Sequence, residues 1–147
     1  VQLAMDAVTV TWLALLTDRL PDVPGSSAFL ERAVVTYSNL SKTELLGVPE
    51  EVIREFGAVS RETASLMAEG VRKLGHANLG LATTGIAGPA GGTDVKPVGT
   101  VFIALADGER TICRDFSLAR DRRHIKISGS QLALLLLKDY CSGRADD

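Results

Sequence analysis

Three short apolar runs constrain this chain more than any other feature: AVVTY (33–37), LGLATT (79–84) and VGTVFIALA (98–106). Each is short and rich in β-branched or aromatic residues, which reads as a buried strand. Between the first two lie segments with helical spacing and clear end signals. SNLSKTELLG predicts a helix stopped by Gly47. In VPEEVIREFG, Pro49 suits the first helical turn, two glutamates favour its positive end, and Gly57 closes it. Ser60 caps a further helix whose Ala64, Met67, Ala68, Val71 and Leu74 keep helical spacing up to Gly75. Upstream, VQLAM reads as a short first strand, and WLALLTDRL follows as a helix ended by Pro24 and Gly25. Downstream, Asp107-Gly108 turns the chain into RTICRDF, which implies an antiparallel pair. A last helix is expected over 121–140, with Ile125, Leu132, Leu135 and Leu136 on one face and a weak middle at Ser128-Gly129. This alternation followed by one hairpin predicts a single domain over 1–147, a three-layer α/β/α fold with a mixed, mostly parallel sheet.

Ligands of such sheets gather at the carboxyl ends of strands, which is where the glycine-rich TTGIAGPAGG (83–92) falls. Glycine permits positive φ and close backbone approach, so a turn of this kind aims N–H groups at an anion or a carbonyl oxygen, or is an ordinary wide turn. Neither G-x-x-x-x-G-K-[ST] nor G-x-G-x-x-G is present, so the two strong phosphate-loop signatures are excluded. With 147 residues, 46% hydrophobic and 23% charged, the chain is long enough for a sizeable core and is not of disordered composition. A net charge of −2 gives no general reason to expect nucleic acid or an anionic membrane as partner. Cys113 and Cys141 are far apart, there is no C-x-x-C, and His76 and His124 read as solvated. Neither a metal site nor a disulfide framework is suggested, and a reduced, cytoplasmic protein is expected. The most apolar segment, LALLLL (132–137), is too short to span a bilayer, and no export signal opens the chain.

DVPGSS, VVTYSN, LLGVPEEV, GAVS, TGIAGPAGGT and KPVGTVFIAL occur in an order and at a spacing that resemble the CinA C-terminal domain family, the nicotinamide mononucleotide deamidases also called PncC. The resemblance runs from Asp22 to Leu136. It implies hydrolysis of the carboxamide of nicotinamide mononucleotide to nicotinate mononucleotide and ammonia, a role in NAD recycling, no cofactor and no metal. The partner implied is a small-molecule nucleotide, and a homo-oligomer stays open. Tyr37 and Lys42 match the tyrosine and lysine beside the family's nucleophile, with Ser38 and Asn39 between them. A lysine that is partly desolvated acts as a base near neutral pH. Thr84 matches the threonine of the glycine-rich motif, and the backbone of Gly85, Ile86, Ala87 and Gly88 would donate to substrate. FSLARDR resembles the family's F-x-x-x-G-D-R, which places the arginine at Arg122, with Arg120 where the family has glycine. Arg122 and Lys96 are the implied phosphate ligands. The loop 85–92 is thus expected to line the main pocket together with Tyr37 and Lys42.

One departure matters more than these matches. The family carries A-E-S-C-T-G-G after its first strand, and its serine resembles the nucleophile of acyl transfer. Aligned without gaps from DVPGSS, this chain has VTVTWLA there and Val10 at the serine. With three residues inserted near 19–21, MDAVTVT aligns instead, setting Asp6 for the glutamate, Ala7 for the serine and Thr9 for the threonine. In either alignment the serine and both glycines are absent, and the family's N-terminal helix is largely missing. Thr9, or Thr11, is the hydroxyl left to take the nucleophile's part. The resemblance therefore leaves three readings: an amidohydrolase using a threonine, a catalytically inactive relative that still binds the nucleotide, and an interaction module of the same fold.

Overall fold

The computed structural model describes residues 2–7, 24–118 and 121–145. The expected helix WLALLTDRL lies outside the described residues. Five strands, β1 (Leu3–Ala7), β2 (Leu30–Val35), β3 (Leu79–Gly85), β4 (Thr100–Ala106) and β5 (Thr111–Ser117), form one sheet in the order β2-β1-β3-β4-β5. β1 runs parallel to both β2 and β3, and β4 is antiparallel to both β3 and β5, so four strands share one direction and β4 alone opposes them. The reversal into β5 has a local cause. Asp107 Oδ1 accepts from the N–H groups of Glu109 and Arg110, each at 2.8 Å, while Gly108 takes φ +97°. Only a residue without Cβ holds that conformation cheaply.

Four helices complete the described chain: α1 (Asn39–Leu46), α2 (Glu50–Phe56), α3 (Arg61–Leu74) and α4 (Arg122–Cys141). The first three lie in the connection that carries the chain from β2 across β1 to β3, and α4 follows the hairpin. Side-chain size sorts the two faces of the sheet. Leu3, Met5, Leu79, Leu81, Val101, Ile103, Leu105 and Ile112 point to the α4 side, where they meet Ile125, Ala133 and Leu136. The alternate positions Ala4, Ala82, Ala104 and Ala106 face α3 through Ala64, Met67, Ala68 and Val71. Small residues let α3 sit close: a Cβ added at Gly80 would stand 2.0 Å from the Ala68 carbonyl oxygen. The result is the expected three-layer arrangement with a mixed sheet, and among the described residues no helix is long and apolar enough to cross a membrane.

Several element ends differ from expectation, each for a visible reason. The second strand covers Leu30–Val35, not 33–37, because Thr36 leaves the ladder to bond Asp6 and Tyr37 enters the turn before α1. Pro49 precedes α2 as its N-cap. β4 starts at Thr100, since Gly99, at φ +98°, still belongs to the loop and donates to the Ile86 carbonyl at 2.7 Å. β1 sits two residues later than VQLAM and ends at Ala7. α4 runs unbroken through Ser128-Gly129, with Gly129 buried and Ser130 Oγ bonded to the Lys126 carbonyl at 2.9 Å.

Candidate functional site

The loop that leaves β3 is pinned at its root. Ile86 N–H donates to the Thr100 carbonyl at 2.9 Å, which uses the donor that the sequence reading had offered to substrate. Gly88 takes φ +73°, and a Cβ there would stand 2.5 Å from Val98 Cγ1, so packing inside the loop requires this glycine independently of any ligand. Gly91, at φ +94°, is less crowded: a Cβ there would make only an ordinary contact, 3.8 Å from Ile86 Cγ2. The loop lines a cavity of about 310 Å³ with Gly85, Ile86, Ala87, Gly88, Ala90 and Gly91 along one side and Tyr37 and Arg122 along the others. Arg122 opens α4 and donates from Nη1 to the Gly88 carbonyl, which fixes a cation at the rim. Tyr37 is 71% exposed, a large aromatic face turned toward solvent at the same opening.

Behind this rim lies a buried polar cluster. Lys42 is 1% exposed, and its Nζ donates to the Thr36 carbonyl at 2.7 Å and to the Ser38 carbonyl at 3.4 Å. Asp6, fully buried at the end of β1, accepts from Thr36 N–H at 3.2 Å and from Thr36 Oγ1 at 2.9 Å. Burial pushes the Lys42 ammonium below the usual lysine range, and the Asp6 carboxylate opposes that shift. The helix that carries Lys42 is held by its own start: Ser38 accepts from Ser41 N–H at 3.0 Å, and Ser41 Oγ accepts from Ser38 N–H at 3.1 Å. This reciprocal cap places Lys42 one turn in, over the end of β2.

Of the residues expected at the site, Tyr37, Gly85, Ile86, Ala87, Gly88 and Arg122 converge on the cavity. Lys42 does not line it and lies beneath, in the Asp6 and Thr36 cluster. Thr84 is fully buried, its hydroxyl spent on the Ala58 carbonyl at 2.8 Å, so it ties β3 to the start of α3. Ser38 serves as the α1 cap. Asn39 faces a separate groove with Leu40, Thr43 and Glu50. Lys96 reaches the other way and donates to the Phe56 carbonyl at 2.6 Å, at the end of α2. Thr9 lies outside the described residues. Nor is the loop cavity the largest. A space of about 780 Å³ opens at the opposite end of the sheet, among Asn78, Asp107, Arg110 and Tyr140. Sequence reasoning missed Thr36 and gave Asp6 no part beyond an alignment. A lone carboxylate in the apolar run LAMDA was the signal available for it.

Comparison with known proteins adds to this geometry. Residues 14–141 match the CinA C-terminal domain. A CinA-like protein of Syntrophus aciditrophicus is 67% identical over 127 residues, covering 86% of this chain and 30% of that protein. Another, from Geotalea uraniireducens, is 48% identical over 120 residues, 82% of this chain and 29% of its own length. The chain thus spans about 30% of the length of the curated relatives it matches. Among solved structures, competence/damage inducible protein CihA from Agrobacterium tumefaciens aligns with a TM-score of 0.87 at 35% identity, covering 93% of this chain and 83% of that one. Competence damage-inducible protein A from Klebsiella pneumoniae aligns at 0.88 and 28% identity, with 96% and 86% coverage.

Proposed function

The chain belongs to the CinA C-terminal domain family, and from that premise we propose that it binds nicotinamide mononucleotide at the carboxyl edge of its sheet and hydrolyses the carboxamide only slowly. The observation that carries the reading is Lys42. A lysine at 1% exposure with a lowered pKa has a cost that packing alone does not repay. Such costs concentrate where proton transfer is needed.

In this reading the exposed face of Tyr37 stacks on the nicotinamide ring, and the Gly-rich loop closes around the ribose. Arg122, at the positive end of α4, takes the phosphate through its remaining N–H groups. Lys42 is the base that would take the proton from a hydroxyl nucleophile as its oxygen bonds the carboxamide carbon and pass it to the nitrogen that leaves as ammonia; water then hydrolyses the resulting ester, releasing the carboxylate and restoring the hydroxyl. The nucleophile is the weak element, because the serine of the family motif is absent from the sequence. Base and nucleophile act as a unit, so losing one removes most of the rate while leaving binding contacts intact. Calorimetric titration with nicotinamide mononucleotide, run beside an assay for ammonia release, tests both halves. Binding with little ammonia is the expected result. Absence of binding would leave the domain as an interaction module of the same fold and reject this proposal.

A further inference from the structure

We propose that Thr84 and Lys96 are positioning residues that fasten the two limbs of the glycine-rich loop to the segment between α2 and α3, and so set the cavity wall without touching the ligand. The fastening rests on geometry; what it does for a nucleotide rests on the proposed binding at this edge. Thr84 stands just before the stretch that lines the cavity, and Lys96 follows it. Successive carbonyls of Phe56, Gly57 and Ala58 all accept from side chains. Lys96 Nζ donates to Phe56 at 2.6 Å, and Thr84 Oγ1 donates to Ala58 at 2.8 Å. Between them, the Gly57 carbonyl accepts from Ser60 Oγ at 2.9 Å and from Thr63 Oγ1 at 2.8 Å. The start of α3 thus holds the segment that both limbs grip.

Charge and space both favour the Lys96 grip. Phe56 ends α2, where carbonyls lack partners within the helix and the dipole is negative, so an ammonium is well placed there. Gly57, at φ +85°, leaves room for it: a Cβ at this position would stand 3.4 Å from Lys96 Nζ. The grip reaches the cavity through packing inside the loop. Thr93 N–H donates to the Lys96 carbonyl at 2.9 Å and Lys96 N–H to Thr93 Oγ1 at 3.0 Å, which closes the loop tip. Just beyond, Val98 lies against the opposite limb: a Cβ added at Gly88 would stand 2.5 Å from Val98 Cγ1, and one at Gly92 would stand 2.7 Å from Val98 N. Gly88 lines the cavity, and its carbonyl holds Arg122. A displacement of Lys96 is therefore passed to the cavity wall and to the cation at its rim.

Amide hydrogen exchange on the free protein tests the fastening, and calorimetry with nicotinamide mononucleotide and nicotinamide riboside tests its consequence. Lys96→Met keeps the stem of a partly exposed side chain and removes only the ammonium, so the fold is retained. In that variant the amides of Gly57, Thr93 and Gly99 are expected to exchange at least about tenfold faster, with those inside β3 and β4 unchanged and with Lys96→Arg restoring the parent rates. Thr84→Val is expected to quicken Ile86 and Gly99 in the same way. Both ligands are expected to lose affinity by the same factor in Lys96→Met, about three- to tenfold, and to regain it in Lys96→Arg. Unchanged loop exchange in either variant overturns the proposal. Faster exchange at Gly57 alone makes Lys96 an end cap of α2 and overturns it as well. Loss for the mononucleotide only would make Lys96 a phosphate ligand, and faster loop exchange with both affinities intact would detach the fastening from the site; either result overturns the positioning role. Faster loop exchange in a protein whose parent binds neither ligand upholds the fastening and overturns the nucleotide reading instead.

Discussion

The two ends of the sheet both carry a cavity, and they differ in where their polar groups lie. At the carboxyl end of β1 to β3, Asp6, Thr36, Lys42, Thr83 and Thr84 are all buried, and the cavity above them is only about 310 Å³. At the opposite end the space is about 780 Å³, yet its polar residues do structural work at the surface. Asp107 closes the β4–β5 turn with Oδ1 and accepts from Tyr140 Oη through Oδ2 at 2.6 Å, tying the turn to the last residues of α4. Size is therefore a poor guide to function in this molecule. Buried polar groups are costly, and a chain with no use for them gains stability by replacing them with apolar side chains, which is why the proposed site is put at the carboxyl end.

The largest effect concerns catalysis at the carboxyl end. Turnover of nicotinamide mononucleotide by the unaltered protein is expected at least about a thousandfold below an intact site of this kind. Steady-state ammonia release on the order of 1 per second would overturn the proposal of slow hydrolysis at that end. Next comes Arg122. Arg122→Ala is expected to weaken binding of the mononucleotide by about 1.5 to 3 kcal/mol and to leave nicotinamide riboside nearly unchanged, since only the first carries the phosphate. Equal losses for both in calorimetry would move Arg122 off the phosphate.

Lys42 offers a sharper test through pH. Its folded pKa is lowered by burial, so between that value and about 10.4, the unfolded value, the unfolded chain binds more protons than the folded one. Stability should then rise with pH across that window, as the cost of a buried charge disappears. Lys42→Met should flatten that rise in denaturant titrations, and a rise that survives would mean that another group produces it. The smallest effect belongs to the far end. Tyr140→Phe is expected to cost about 0.5 to 1.5 kcal/mol of stability without changing nucleotide affinity. The Tyr140 hydrogen bond, the backbone N–H groups and nearby Arg110 hold the Asp107 carboxyl below its ordinary range. Its contribution is therefore present above about pH 3.9 and is lost as pH falls through the folded value. A Tyr140→Phe protein with weakened ligand binding would erase the distinction between the two ends.

Much of the carboxyl edge was legible in the chain before any coordinates. The step from LGLATT into TTGIAGPAGG announced a strand end opening into a loop, and the helix ends at Ser60 and Gly47 stood where they were expected. The companions of Lys42 were not legible. Asp6, Thr36 and Lys42 lie on β1, just after β2 and on α1, and only the parallel pairing of β1 with β2 brings the first two together. Lys96 and Thr84 looked like site residues by motif, and the fold turned them toward the Phe56 and Ala58 carbonyls.

Local chemistry decided what it governs alone. Turn residues, caps and the alternation of large and small side chains depend on a few neighbours in the chain, so the sequence determined the elements, the hairpin and the layered class. It also shows that no A-E-S-C-T-G-G run occurs in these 147 residues. Burial is a property of the whole assembly. Which carbonyls meet Lys42, which carbonyl holds Thr84 and which face admits α3 follow from strand order and register, which bring together residues dozens of positions apart. Only the tertiary structure decided those, because desolvation and hydrogen-bond partnership exist only once the layers have closed.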